Sequence, residues 1–188
     1  MNLRLLMGGT LLTLLLGCSG GSNTTFNGTV RGHQLTPVDA VSGTGSLNVP
    51  PAVSINAAVV VISNTGGLCA NASVGKQASN SQFFVITLFD RIGTQTAIPT
   101  APGTYSVTST TKSASASYLE TDATCRSIAG FSALATSGTV TLTSVTSNGL
   151  VGTFDLTLNS GDRVTGSFNA PNCGGLISFL NLTTATCI

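Results

Sequence analysis

Charge is what this sequence has least of: seven Lys and Arg and six Asp and Glu make up 7% of 188 residues, with a formal net charge of +1. Nucleic-acid binding normally needs a basic patch, and none is visible, so nucleic acid is not an expected partner. Aromatics are scarce as well, at 5% with no Trp. There is one histidine, His33, so any Ser-His-Asp or Cys-His device must use it. G-x-S-x-G elbow, phosphate-cradling loop with its lysine, EF-hand series and C-x-x-C pair are all missing. His33 lies far from every cysteine in sequence, which argues against zinc. The chain is instead rich in Thr, Ser, Val, Ala and Gly, a composition that favours strands with small-residue packing. Apolar alternation persists through most of the chain, which argues against disorder.

The first segment has a different character. Arg4 is the only charge before an apolar stretch from Leu5 to Leu16, interrupted by Gly8, Gly9, Thr10 and Thr13. At about 1.5 Å per residue it is too short for a hydrocarbon core of about 30 Å, and its flanks are those of a signal peptide. Leu15-Leu16-Gly17-Cys18 follows and resembles the lipobox of bacterial lipoproteins, with Leu at −3, Gly at −1 and Cys at +1. The resemblance implies cleavage between Gly17 and Cys18, diacylglyceryl on the Cys18 sulfur and acylation of the new amino terminus. Several acyl chains anchor far more firmly than one. Ser19 stands where an Asp would suggest inner-membrane retention, so the resemblance points to the outer membrane. The expected organisation is 1–17 signal peptide, 18–24 lipidated flexible tether, and 25–188 a single β-domain.

Removing the signal leaves about 170 residues with six basic and six acidic side chains, enough to bury about 70% of the surface exposed by the unfolded chain. Beyond Cys18 there are four cysteines, Cys69, Cys125, Cys173 and Cys187. An even number in an exported chain suggests two disulfides. Three pairings are possible; the one favoured here is Cys69–Cys125 with Cys173–Cys187, the second pinning the C-terminal tail.

Strand signals recur along the domain. Thr25 to Val30 begins one, and Gly32 to Gly45 reads mostly as loop. Ala57-Ala58-Val59-Val60-Val61-Ile62 is a continuous apolar run suited to a central strand covered on both faces, and Phe83 to Phe89 is a second. Ala70 to Ser81 reads as loop or one short helical turn. Pro99 to Gly103 turns into Thr104-Tyr105-Ser106-Val107. Ala114, Ala116 and Tyr118 would share one strand face, and Arg126 to Ser137 admits a short helix.

In the C-terminal third the apolar residues are even-numbered: Val140 and Leu142, then Leu150, Phe154, Leu156 and Leu158, then Val164, Phe168 and Ala170. Keeping these on one face predicts two three-residue hairpin loops. Ser147-Asn148-Gly149 would set Leu142 opposite Phe154, and Asn159-Ser160-Gly161 would repeat the pattern. This meander over roughly 138–173, with its Gly-Thr-Phe-Asp-Leu and Gly-Ser-Phe-Asn-Ala blocks, resembles hairpins that recur in bacterial lipoproteins. It carries over no functional residues.

Few residues suggest chemistry. His33 follows Arg31-Gly32 and reads as a solvated or edge histidine. Glu120 and Asp122 would share a strand face at about 7 Å, a separation compatible with a glycosidase pair. Only Tyr118 is at hand as a sugar platform, so a solvated face is the simpler reading. Asp155 and Asp162 suit surface and turn roles; Asn159 with Asp162 could share calcium, though an ordered turn needs none. The Asn-x-Ser/Thr sites at Asn23, Asn27, Asn71 and Asn181 carry no weight beside a lipobox.

The expected fold is therefore all-β: an antiparallel sandwich of about 8–10 strands, with a flattened up-and-down barrel as the alternative. The expected function is a non-enzymatic envelope lipoprotein without cofactor. The membrane would hold its lipid, and an envelope protein or glycan would be its partner. A small apolar ligand carrier is the second reading and a hydrolase the third.

Overall fold

The alternating segments form strands wherever one or both of their faces find cover. The structure, a computed structural model, describes residues 23–49 and 53–188; Gly17, Cys18 and the signal segment lie outside the described residues. The chain begins with β1 (Thr25–Asn27) and the hairpin β2 (Asp39–Val49) and β3 (Val53–Ser63). Helix α1 (Leu68–Ser73) and the short β4 (Lys76–Gln77) lead to β5 (Gln82–Ile92) and β6 (Gln95–Ala97). Then come β7 (Gly103–Ser106), β8 (Lys112–Glu120), β9 (Ala133–Thr146), β10 (Gly149–Leu158) and β11 (Arg163–Pro171). Helix α2 (Leu176–Leu180) and β12 (Thr186–Cys187) close the chain.

The fold is all-β, and ten strands belong to one sheet rather than to the two sheets of a sandwich. Its order is β1-β11-β10-β9-β7-β8-β5-β3-β2, with β6 paired to β5. The sheet curls into a half-barrel, closer to the barrel alternative. Its far edge returns to β11, where Ser42 bridges Asn172 and the Ser42 hydroxyl donates to the Ala170 carbonyl at 2.8 Å. The sheet is mixed, not purely antiparallel. Both β7 and β8 run antiparallel to the 14-residue β9 and are therefore parallel to each other where Ser106 meets Ser113. A separate two-stranded sheet pairs β12 with β4, also in parallel.

Residue parity decides the core. The concave face is built mostly from even-numbered residues: Ala58, Val60 and Ile62 of β3; Phe84, Ile86 and Leu88 of β5; Ala114, Ala116 and Tyr118 of β8; Val140 and Leu142 of β9; and the even residues of β10 and β11, joined by Tyr105 of β7 opposite Val140 and Ala133 of β9 opposite Tyr118. Phe26, Phe84 and Phe154 meet at centroid distances of 5.2–5.8 Å in its middle. Odd-numbered Val41, Val59, Val61 and Phe83 form a second cluster on the convex face with Ala72, Cys173 and Leu176. The run from Ala57 to Ile62 is thus covered on both faces, as its sequence predicts.

The hairpins obey the parity, one of them by another route. Asn159-Ser160-Gly161 is the predicted three-residue loop: Leu158 N–H donates to Asp162 at 2.8 Å, and Gly161 takes φ +88°. The first hairpin instead turns through Ser147 and Asn148, pairing Gly149 with Thr146. That register would turn the wrong residues inward, and a bulge at Thr143 corrects it, so that Gly152 faces Leu142 and Phe154 faces Val140, not Leu142. The repeated blocks then acquire a meaning. Gly152 pairs with Phe168, and Phe154 with Gly166. Each aromatic ring lies over the opposing glycine, where a Cβ would sit 2.7 Å from Phe168 and 2.5 Å from Phe154.

Two expectations are corrected. Asp39–Val49 is a full strand that begins within the segment read mostly as loop, Gly32 to Gly45, and runs beyond it. Its glycines break the apolar pattern because α2 lies on them: a Cβ at Gly43 would be 3.1 Å from Leu176 and one at Gly45 3.1 Å from Ile177. Residues 126–137 form no helix; Ala133 onward joins β9, where Tyr118 pairs with Ala133.

The reciprocal pairs predict that Gly152→Ala and Gly166→Ala each lower stability by about 1–3 kcal/mol through overpacking, read as urea midpoints. Wild-type midpoints in both variants would disprove the ring-over-glycine packing.

Candidate functional site

All four cysteines of the domain are drawn to one region. Cys69 in α1 is bonded to Cys173, and Cys125 to Cys187, each with Cα atoms 5.5 Å apart. The favoured pairing of Cys69 with Cys125 and Cys173 with Cys187 is thereby corrected. The Cys173 N–H donates to Ser42 at 2.7 Å, which brings Cys173 over the convex face beside α1. Strand β12 crosses to β4, and Ser79 N–H donates to the Ile188 carbonyl at 2.8 Å, carrying Cys187 towards Cys125. Spacing along the chain cannot show such a crossover. The bonds span 104 and 62 residues, and loops of that length are worth about 4–5 kcal/mol each in the chain-entropy model.

Together α1, α2, β4 and β12 form a stapled lid over the convex face. Between lid and sheet is a pocket of about 160 Å³. Its floor is Val41, Val61, Phe83, Val85 and Leu119 from four strands, and its roof includes Leu68, Leu176 and Phe179. The polar residues of its lining are Asn71, Lys76 and Gln77, and Lys76 is exposed at the rim. Left dry, a hole of this size forgoes on the order of 4 kcal/mol of packing at about 24 cal/mol per Å³. The continuous apolar runs in β3 and β5 were the available sequence signal, since a strand apolar on both faces needs cover on both.

A second constellation gathers three residues singled out in the sequence. Arg31 and Gly32 take φ 50° and 85° at the centre of a tight turn in which Val30 and His33 exchange backbone hydrogen bonds of 2.8 and 2.9 Å. This turn carries the His33 ring to Glu120, with Nδ1 2.8 Å from Oε1, while Phe131 packs on the imidazole at 4.3 Å. The same Glu120 oxygen accepts from the Tyr118 hydroxyl and from Gln82 Nε2, the latter at 3.2 Å. Glu120 is only 8% exposed, so the solvated face expected for it is corrected: it ends the concave core under a polar plug. Burial first, and then the hydrogen bond to Glu120, raise the Tyr118 hydroxyl above the usual phenol range.

Asp122 does not join this group. The strand ends at Glu120, and Asp122 turns away to accept from Thr124 N–H and Oγ1, both at 2.7 Å, and from Arg126 N–H at 3.0 Å. The paired-carboxylate geometry is therefore not formed. Among the described residues the His33 ring is hydrogen-bonded to Glu120 and to no hydroxyl or thiol. Asp155 forms a two-point pair with Arg163 at 2.6 and 2.8 Å on the surface. Asp162 receives Arg31 N–H at 2.8 Å and the Ser160 hydroxyl at 2.6 Å, and Asn159 receives Leu134 N–H at 3.1 Å. Among the described residues no three His, Cys, Asp or Glu side chains gather as metal ligands. Compared with protein-family models, curated proteins and solved structures, the chain matches none of them.

Two predictions follow from these contacts. Tyr118→Phe removes a donor from a buried carboxylate and should cost about 1–3 kcal/mol. Tyr105 provides the contrast: its hydroxyl is buried beside the Asp90 carboxylate without a hydrogen bond of ordinary geometry, and burial first, then the Asp90 charge and a weak hydrogen bond to it, push its ionisation up to about 12. Tyr105→Phe should leave the urea midpoint unchanged or raise it; equal losses in the two variants would contradict this account. Hydrogen bonds hold Asp122, Asp155 and Asp162 below the usual carboxylate range: from Thr124 first, from Arg163, and from Arg31 N–H first, respectively. Their contribution is present above the unfolded-state value and is lost as pH falls through the depressed folded values. Stability should therefore decline below about pH 4, and Asp162→Asn should decline less steeply over that range.

Proposed function

We propose that this chain is a lipid-anchored, non-catalytic binding protein of the bacterial cell envelope. It is tethered at the outer membrane through acylated Cys18, with an envelope protein or glycan as its partner. The observation that carries this reading is the pairing of the domain's four cysteines into two disulfides, both in the lid. Such bonds persist in oxidising compartments, the destination that the signal segment and lipobox resemblance imply. The lid is also the side best suited to recognition. Val74, Leu182 and Ile188 on its segments are 65%, 48% and 51% exposed, whereas the concave face is filled by packed side chains.

The test is a mass measurement on protein purified from membranes, combined with detergent phase partitioning. Wild type should begin at Cys18 with diacylglyceryl and amide-linked acyl mass and enter the detergent phase; Cys18→Ser should carry no fatty-acid mass. Peptide mapping without reductant should return the 69–173 and 125–187 linked pairs. An intact Met1 without fatty acid, or four free thiols, would refute the proposal.

A further inference from the structure

The lid pocket joins an apolar chamber to a single kind of charge. Its floor and roof are aliphatic and aromatic, and its polar lining residues are Asn71, Lys76 and Gln77, of which Lys76 alone carries charge. No carboxylate lies within 4 Å of the Lys76 ammonium among the described residues, whereas Lys112 sits 3.6 Å from Asp90 and Arg163 2.6 Å from Asp155. An enclosed cavity of about 150 Å³ lined by Leu, Ile and Phe takes up benzene, and this pocket, at about 160 Å³, is of similar size and mostly apolar but opens to solvent at a polar rim. We infer that the pocket binds a small anionic amphiphile, a monocarboxylate whose apolar tail fills the chamber while its head meets Lys76 at the rim.

The construction of the site supports the inference. Lys76 and Gln77 stand on β4, which is held by the parallel pairing to Thr186 and Cys187. Asn71 stands on α1 beside Cys69. One disulfide therefore fixes the helical side of the rim and the other fixes the strand side. A pocket stapled on both sides is already formed before its ligand arrives, so little ordering is needed on binding. The volume limits the tail to a ring or a chain of comparable bulk, and the rim charge selects anion over cation. This binding goes beyond the partner reading above and does not depend on the lipid anchor.

The experiment uses the full exported chain carrying Cys18→Ser, so that no detergent competes for the pocket. Octanoate, octanol and octylammonium are titrated by calorimetry and by ligand-observed NMR. Octanoate should bind saturably at one site, more tightly than octylammonium. Lys76→Gln should weaken octanoate by about three- to fivefold, as expected for an exposed charge, and leave octanol unchanged. Ala78→Phe, at the half-buried rim, should abolish binding of both while retaining the wild-type melting curve; should it fail to fold, Val85→Phe replaces it. No saturable octanoate binding, equal affinity for octylammonium, or binding untouched by the lining substitutions would each overturn the inference. Acylation of wild-type Cys18 is read separately, so the anchor and the pocket stand or fall independently.

Discussion

One geometric constraint organises the molecule: successive side chains of a strand point to opposite faces, so a single core requires each strand to turn its apolar residues to the same side as its neighbours do. In β3, β5, β8, β10 and β11 those residues are even-numbered, in β7 the core residue is Tyr105, and β9 changes over from Ala133 to Val140 and Leu142. Every connection between neighbouring strands must preserve that agreement, and the sequence invests in doing so. The Asn159-Ser160-Gly161 loop preserves it by its odd length, and the first hairpin preserves it with a two-residue turn and a bulge at Thr143. Without that bulge, Thr141 would stand opposite Phe154 and the core face of β9 would be threonine.

This explains which parts of the fold the sequence displays. Strands buried on one face show plain alternation, as Ala114, Ala116 and Tyr118 do, and β3 shows a continuous run because both its faces are covered. Segments whose role is to let something approach closely display no pattern. Strand β2 looked like loop because Gly43 and Gly45 make room for α2. The bulge was hidden for a related reason, since its effect is a change of register rather than of composition. The disulfide pairing was hidden because it depends on a crossover of the last residues to β4, and no local signal marks one.

The candidate sites were legible to different degrees. His33, Glu120 and Tyr118 could each be named from the sequence, but their meeting required a turn at Arg31-Gly32 to bring residue 33 to residue 120. Their common acceptor is a single carboxylate oxygen, and three donors offset the cost of burying it. That arrangement is what a buried acid needs in order to be tolerated, and it closes the end of the concave core. The pocket was less legible still, because its lining comes from segments as distant as Val41 and Leu180. Only the second apolar face of β3 and β5 announced that something must lie over the convex side.

The two faces of the sheet therefore differ in kind. The concave face is dense: aromatic rings are set against glycines, and a hydrogen-bonded plug ends the core. The convex face is covered by two helices of six and five residues and two strands of two residues each. Elements so short cannot hold themselves in place by their own hydrogen bonds, and a tightly packed cover would not need two disulfides to stay there. Covalent staples are what an imperfectly filled lid requires. The pocket and the disulfides are thus two aspects of one construction, in which covalent bonds substitute for packing so that a space can stay open.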